Sequence, residues 1–103
     1  MMKLTVLYGP PTDTAAFDQH YREVHEPLAQ KIPGLDRFEA GKVTTVDGSD
    51  SPYYLMAQLW FEDAATFGNA MGSEAGAAAA ADIADFATGG VTTLISEVEA
   101  SDL

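Results

Sequence analysis

The sequence predicts an α+β fold in which helices cover one face of a four-stranded antiparallel sheet. Two observations support this prediction. Runs of strand-forming residues lie at both ends of the chain and on both sides of a central turn cluster, and segments with helical periodicity fill the intervals between them. The resulting order, βαββαβ, is that of the ferredoxin-like plan. A chain of 103 residues has the length of one domain, and we expect residues 1–103 to form it.

The first strand and the first helix have clear boundary signals. Residues 2–8 alternate in polarity, and Gly9-Pro10-Pro11 then ends the strand. Thr12-Asp13-Thr14 offers side-chain oxygens for a helix start, and Pro33-Gly34 ends that helix. Pro27 lies inside it and removes a backbone donor, so we expect the helix to be weakened or kinked there. The apolar residues that recur at helical spacing are Phe17, Tyr21, Val24, Leu28 and Ile32.

A hairpin is predicted in the middle of the chain. Residues 35–46 are extended and mixed in polarity, residues 47–52 form a turn cluster, and residues 53–61 are almost continuously apolar. Alternation divides this last strand into two faces, and both are largely apolar. One face has Leu55, Ala57, Leu59 and Phe61, and the other has Tyr54, Met56, Gln58 and Trp60. Because helices can cover only one face, we expect a homodimer that packs sheet on sheet.

The second half repeats the pattern of helix and strand. A helix is predicted from Glu62 to Met71, and it resumes from Glu74 to Phe86 because alanine has the highest helix propensity. Gly89-Gly90 then precedes a fourth strand over residues 91–98, and residues 99–103 form a tail.

Composition excludes several classes of protein. The net charge is −11, and all the basic residues lie within the first 42 positions, which argues against nucleic acid or an anionic membrane as partner. The acidity fits either ordinary solubility or adaptation to a salt-rich cytosol. There is no cysteine, so thiolate metal sites and thiol nucleophiles are excluded. No segment approaches the roughly 18 apolar residues that span a bilayer, and we expect a cytoplasmic protein.

Two histidines lie on the edges of the apolar stripe of the first helix. His20 and His25 are five residues apart, about 140° around a regular α-helix, which is poor geometry for binding one metal ion. The segment after His25 lacks the second histidine of H-E-x-x-H, and the chain has no glycine-rich nucleotide-binding motif and no G-x-S-x-G. We therefore predict neither a metal nor a cofactor. Helical periodicity does not choose between the histidines, but the break expected at Pro27 would open a cavity mouth beside His25.

His25 and Tyr21 are the candidate catalytic residues. A neutral imidazole is a suitable general acid or base, and a tyrosine one turn away could orient it or hold a carbonyl oxygen. The structural alternatives are an edge histidine bonded to a backbone carbonyl and a core tyrosine whose hydroxyl reaches the surface. Asp82 and Asp85 could orient His25 or act as bases, although a solvated helix face is the more usual account of such a pair.

Short segments spread along the chain form a recognisable set. They are Tyr8-Gly9-Pro10-Pro11 with Phe17, Tyr21-x-x-x-His25-x-Pro27-Leu28-Ala29, Lys31-Ile32-Pro33-Gly34-Leu35, Trp60-Phe61, Ser73-Glu74-x-Gly76 and Asp82-x-x-Asp85-Phe86. In this order and spacing the chain resembles the EthD family, small dimeric α+β barrel proteins of the ferredoxin-like type. The resemblance covers nearly the whole length, and it is more specific for the family than for an activity.

The resemblance implies a protein that acts on small hydrophobic or aromatic molecules. Related dimeric barrels include cofactor-free isomerases, cyclases and oxygenases, and the family motif would make His25 the polar group of the pocket. The alternative is a non-catalytic, ligand-binding or accessory dimer that supports a degradative oxygenase pathway. The residues expected to line the ligand pocket are Tyr8, Phe17, Leu28, Phe61, Asp85 and Phe86.

Overall fold

A computed structural model describes residues 1–99 and has the predicted order of elements. The strands are β1 (Met2–Tyr8), β2 (Leu35–Lys42), β3 (Leu55–Phe61) and β4 (Val91–Glu97). They form one antiparallel sheet in the order β2-β3-β1-β4, so the predicted four-stranded α+β architecture is confirmed. The predicted tail lies outside the described residues except for Glu99.

The central hairpin is shorter than predicted. β2 ends at Lys42 instead of residue 46, and β3 begins at Leu55 instead of residue 53. The loop between them closes on its own polar groups: the Thr45 hydroxyl donates to the Ser49 carbonyl oxygen, and the Ser49 backbone N–H donates to the Asp47 carboxylate. Such local bonds compete with strand pairing, which explains why the ladder stops before the turn cluster.

The helical segments are α1 (Thr14–His20), a π-turn (Tyr21–His25), α2 (Glu26–Gln30), α3 (Ala64–Met71) and α4 (Glu74–Phe86). Side chains cap three of them at the N-terminus, because Asp13, Asp63 and Ser73 each accept a hydrogen bond from a backbone N–H three residues later. These caps fix where the helices begin on the sheet.

The expected break near Pro27 takes the form of the π-turn. Within it the Glu26 backbone N–H donates to the Tyr21 carbonyl, five residues back, and the regular helix resumes with Pro27 in the first turn of α2. A proline inside a regular helix would clash with the carbonyl four residues before it. Widening one turn relieves that crowding without ending the helix.

The core lies between the helices and one face of the sheet. Leu55, Ala57, Leu59 and Phe61 are at most 5 % exposed, as the alternation in this strand predicts, and Phe61 is fully buried. On the opposite face Met56 is 38 % exposed and Leu94 is 55 % exposed. The helical segments contribute their own buried side chains to the core, which are Phe17, Tyr21, Ala29, Ala70, Ala79 and Phe86. Ile32, in the turn that follows α2, is also buried there.

We expect Gly76→Ala to destabilise the protein and Gly68→Ala to have the opposite effect. Gly76 of α4 packs closely against α3, and a Cβ there would lie 2.1 Å from the carbonyl oxygen of Ala70. A Cβ at Gly68 would meet nothing within 4 Å. The first change should cost about 1–3 kcal/mol of unfolding free energy. The second should add about 0.5–1 kcal/mol through helix propensity. Urea unfolding of both variants tests this pair, and equal stabilities would contradict it.

Candidate functional site

One buried carboxylate binds both histidines. The Asp82 Oδ2 atom lies 3.0 Å from Nδ1 of His25, and its Oδ1 atom lies 2.8 Å from Nε2 of His20. With Asp82 ionised, both rings donate their N–H to it. Asp82 and His25 are 7 % and 6 % exposed, so this pair is shielded from solvent, while the His20 side chain is 28 % exposed.

The π-turn brings the two histidines to the same acceptor. On a regular α-helix they would diverge by about 140°. The π-helical hydrogen bond joins residues five apart and widens the turn, so positions 20 and 25 both face α4. The separation of about 140° expected from the sequence assumes a regular α-helix, and the π-turn replaces that geometry here. Two histidines five apart, followed closely by Pro27, were the available signal for a π-turn.

Phe86 packs against both imidazole rings. Its ring centroid lies 5.0 Å from that of His20, at an interplanar angle of 27°, and 4.9 Å from that of His25. Asp82 and Phe86 are one turn apart on α4, so a single helical face supplies both the acceptor and the packing surface. The interpretation of Asp82 as part of a solvated helix face is corrected by its burial. Asp85 does have an exposed side chain.

An apolar cavity of about 190 Å³ lies between the helices and the sheet. Its polar groups are Tyr8, Tyr21, His25 and Thr93. Aliphatic side chains form most of the remaining wall, and they include Leu4, Val6, Ile32, Leu59, Met71, Ala79, Ala80 and Ile83. A larger groove of about 560 Å³ beside β2 is lined by polar groups such as Glu26 and Gln58, and none of its side chains is a buried titratable group. The cavity beside His25 is therefore the better candidate site.

The structure brings together only some of the residues predicted for the site. Tyr8, Tyr21 and His25 line the cavity. The remaining predicted pocket residues do not, because Phe17, Phe61 and Phe86 are buried in the core around it, Leu28 faces another groove, and Asp85 lies on the outer side with His20. Spacing on a helix could place these residues near the sheet, but it could not tell a packed ring from a cavity wall.

Both cavity tyrosines are protonated donors at neutral pH. Burial raises the pKa of Tyr8, with the charge of Asp82 adding to the effect, and burial also raises the pKa of Tyr21. The Tyr8 hydroxyl lies 3.5 Å from Nε2 of His25, a long hydrogen bond. The Tyr21 hydroxyl is buried and has no hydrogen-bond partner among residues 1–99. An unsatisfied buried hydroxyl is costly, so a ligand oxygen bound beside it would be stabilised.

His25 is neutral at physiological pH. Burial lowers its pKa below the ordinary value of 6.5, and this outweighs the opposite effect of the hydrogen bond to Asp82. Since Asp82 accepts from Nδ1, the neutral ring carries its proton there and keeps a lone pair on Nε2. That nitrogen lies on the side of Tyr8 and can accept a proton from a molecule in the cavity.

No group of three or more histidine, aspartate and glutamate side chains in the described part of the chain could hold a metal ion. Within residues 1–99, no helix has the length and apolar character that crossing a membrane requires.

The chain belongs to the EthD family, since the model of the EthD domain matches residues 9–90. An uncharacterised 11.0 kDa protein from Rhodococcus erythropolis, located in the thcB-thcC intergenic region, is 48 % identical over 99 residues, which are 96 % of each chain. An EthD family protein from Bacillus halodurans, with a known crystal structure, is 35 % identical in sequence to this chain. It superimposes with a TM-score of 0.90, covering 96 % of this chain and 99 % of that one.

A more distant structure shows the fold alone. SnoaB, a cofactor-independent oxygenase from Streptomyces nogalater, is 13 % identical to this chain, with a TM-score of 0.68 over 98 % of this chain and 95 % of that one. The ferredoxin-like α+β fold is thus shared by proteins whose sequences have diverged widely.

We expect protonation of His25 to lower the stability of the protein as the pH falls. The unfolded chain restores the ordinary pKa of 6.5, so on acidification the unfolded state binds this proton before the folded state does. The contribution of neutral His25 is fully present above pH 6.5 and is lost as the pH falls through the lower folded pKa. In His25→Gln the unfolding free energy should therefore vary less between pH 6.5 and the lower pKa that His25 has in the folded protein.

NMR titration of the imidazole carbon-bound protons measures the pKa of His25. Urea unfolding at several pH values measures the free energy of unfolding. A His25 midpoint at or above 6.5 would show that Asp82 outweighs burial.

Proposed function

We propose that this protein is a cofactor-free enzyme that moves a proton on a small apolar or aromatic molecule, with His25 as the acid/base. The observation that supports the proposal is the pairing of His25 with Asp82 at the wall of an apolar cavity. A buried carboxylate that fixes the histidine tautomer is the arrangement by which many enzymes hold an imidazole ready as a base. SnoaB, with the same fold, is a cofactor-independent oxygenase.

The proposed first step is removal of a proton from a carbon next to a carbonyl group. The proton passes to Nε2 of His25, and the electron pair of the broken C–H bond moves into the carbonyl to give an enolate. The hydrogen bond from Nδ1 to Asp82 then stabilises the imidazolium. If the enolate is conjugated with a double bond, return of the proton from Nε2 to the far carbon isomerises the molecule. Attack of the enolate carbon on a second carbonyl, with the proton passing to the new alkoxide, closes a ring. Addition of dioxygen to that carbon, with the proton passing to the terminal oxygen, gives a hydroperoxide.

Tyr21 is the group that we assign to the ligand oxygen. Its hydroxyl is buried, protonated and without a partner among residues 1–99, and its ring lies 5.3 Å from that of His25 between centroids. A donated hydrogen bond becomes stronger as the carbonyl oxygen turns into an enolate, so it lowers the barrier to proton removal. The Tyr8 hydroxyl lies 3.5 Å from Nε2, and because this hydrogen bond is long, a ligand proton can replace it at that lone pair.

Cavity size restricts the ligand to about one ring. A protein cavity of about 150 Å³ accommodates benzene. The volume here is about 190 Å³, which leaves room for one or two small substituents. The mainly aliphatic wall favours an uncharged ligand with few polar groups.

A second candidate is a non-catalytic accessory protein that holds an apolar metabolite. The observation that favours it is the position of the Rhodococcus relative, which lies between thcB and thcC and so beside the genes of other proteins. Binding alone requires the cavity and Tyr21 but not the base.

We further propose that the chain forms a homodimer through the uncovered face of the sheet. The pairing of the strands places Leu94 opposite Thr5, on the same face as Met56 and Trp60. Apolar side chains grouped on one open face indicate a protein interface. Packing two such faces together would complete the α+β barrel that the family resemblance implies.

Deuterium incorporation in D₂O is the experiment that tests the enzyme proposal, because it detects carbon deprotonation whatever reaction follows. Small cyclic ketones, lactones and hydroquinones would be incubated with the protein and analysed by mass spectrometry. We expect exchange with at least one of them, and a loss of about 10²–10⁴-fold in His25→Gln. Asp82→Asn should also reduce the rate strongly, because an amide can select the wrong tautomer.

Asp85→Asn is the matched control, since the same change is made one turn away on an exposed side chain outside the cavity. Its exchange rate should equal that of the wild type. If compounds of this class bind with no catalysed exchange, the accessory role is correct and the enzyme proposal fails.

For the dimer, we expect Leu94→Glu to give a monomer in analytical ultracentrifugation. Leu94 is 55 % exposed on the open sheet face, and a buried carboxylate there would be unpaired. Val46→Glu is the control, because Val46 is fully exposed in the loop between β2 and β3. Salt should strengthen the dimer by screening the charge of −11 on each chain. A wild-type monomer at all salt concentrations would contradict the proposal.

A further inference from the structure

We propose that His20 is a positioning residue that fixes the carboxylate of Asp82, so that His25 keeps its proton on Nδ1 and a lone pair on Nε2. This inference rests on the proposed function, because it explains how His25 is held in the state of a base. No motif assigns a role to His20, and a regular helix would not bring both histidines to Asp82.

The carboxylate of Asp82 needs two anchors to have one orientation. Rotation about the terminal side-chain bond of an aspartate has a broad energy profile, so a single hydrogen bond does not fix the plane of the group. Here each oxygen has a separate donor, with Oδ1 2.8 Å from His20 and Oδ2 3.0 Å from His25. The bond to His20 is the shorter one, and it leaves Oδ2 facing Nδ1 of His25.

His20 is itself held in place. Its ring stacks on Phe86 with 5.0 Å between the centroids, and its backbone lies in the last turn of α1. Its side chain is 28 % exposed, so it can serve as an anchor without the full cost of burying a third polar group.

His20 acts through Asp82 and not on the ligand. It lies outside the cavity and lines a separate groove of about 230 Å³, together with Thr12, Asp85 and Thr88. Loss of its N–H should therefore change the tautomer of His25 while leaving the cavity wall intact.

NMR of protein labelled with ¹⁵N-histidine, recorded at neutral pH without any ligand, tests this inference. In the wild type Nδ1 of His25 should carry the proton, and Nε2 should have the chemical shift of an unprotonated nitrogen. His20→Phe keeps an aromatic ring against Phe86 but removes the donor, so the His25 signals should move towards those of a mixture of tautomers. His20→Gln restores an N–H donor and should restore the wild-type pattern.

Gln19→Ala is the control for a nearby change, since the Gln19 side chain is exposed and donates to Glu23. It should leave the His25 signals unchanged. Should His20→Phe fail to fold, His20→Ser also removes the N–H donor, because the serine hydroxyl on its short side chain does not extend to the Asp82 carboxylate, and the same change in the His25 signals is expected.

Two outcomes separate this inference from the proposed function. A wild-type tautomer in both His20→Phe and His20→Ser would overturn the role of His20 alone, because Asp82 would then be fixed without it. A wild-type His25 that is protonated on Nε2 would overturn both His20 as a positioning residue and His25 as a base facing the cavity.

Discussion

The arrangement of the site depends on the buried carboxylate of Asp82. A carboxylate that is 7 % exposed is costly unless hydrogen bonds satisfy its oxygens, and His20 and His25 provide those bonds. The two contacts span 62 and 57 residues of sequence, so they join the first helical segment to α4. These two hydrogen bonds thus fix both the relative position of the helices and the tautomer of the histidine at the cavity.

The π-turn is the local distortion that makes this contact available. It places residues five apart in the chain on the same acceptor, which a regular α-helix cannot do. Pro27 follows immediately, and the widened turn avoids the clash that its ring would cause in a regular helix. The same distortion therefore accommodates Pro27 and positions the two histidines that bind Asp82, and π-turns occur frequently at functional sites.

The size of the cavity is set by small side chains in its wall and aromatic rings packed around it. Ala79 and Ala80 on α4 leave space beside the sheet, while the core rings of Phe17, Phe61 and Phe86 fill the volume around it. The result is an apolar site with an imidazole and a buried hydroxyl, which are the groups that the proposed deprotonation requires. Water would compete for the same lone pair and hydroxyl in a more open site.

Periodicity and turn residues determined the βαββαβ order, the buried face of β3 and the helix starts. These features follow from local sequence preferences, which do not depend on distant parts of the chain. Motif spacing likewise singled out Tyr21 and His25, and it placed the helical irregularity near Pro27. The partner of His25, the contact of His20 with Asp82 and the identity of the cavity wall were decided only by the tertiary structure. These features depend on contacts between side chains more than 50 residues apart in the sequence. They also depend on the π-turn, where the helix departs from its regular period between the two histidines.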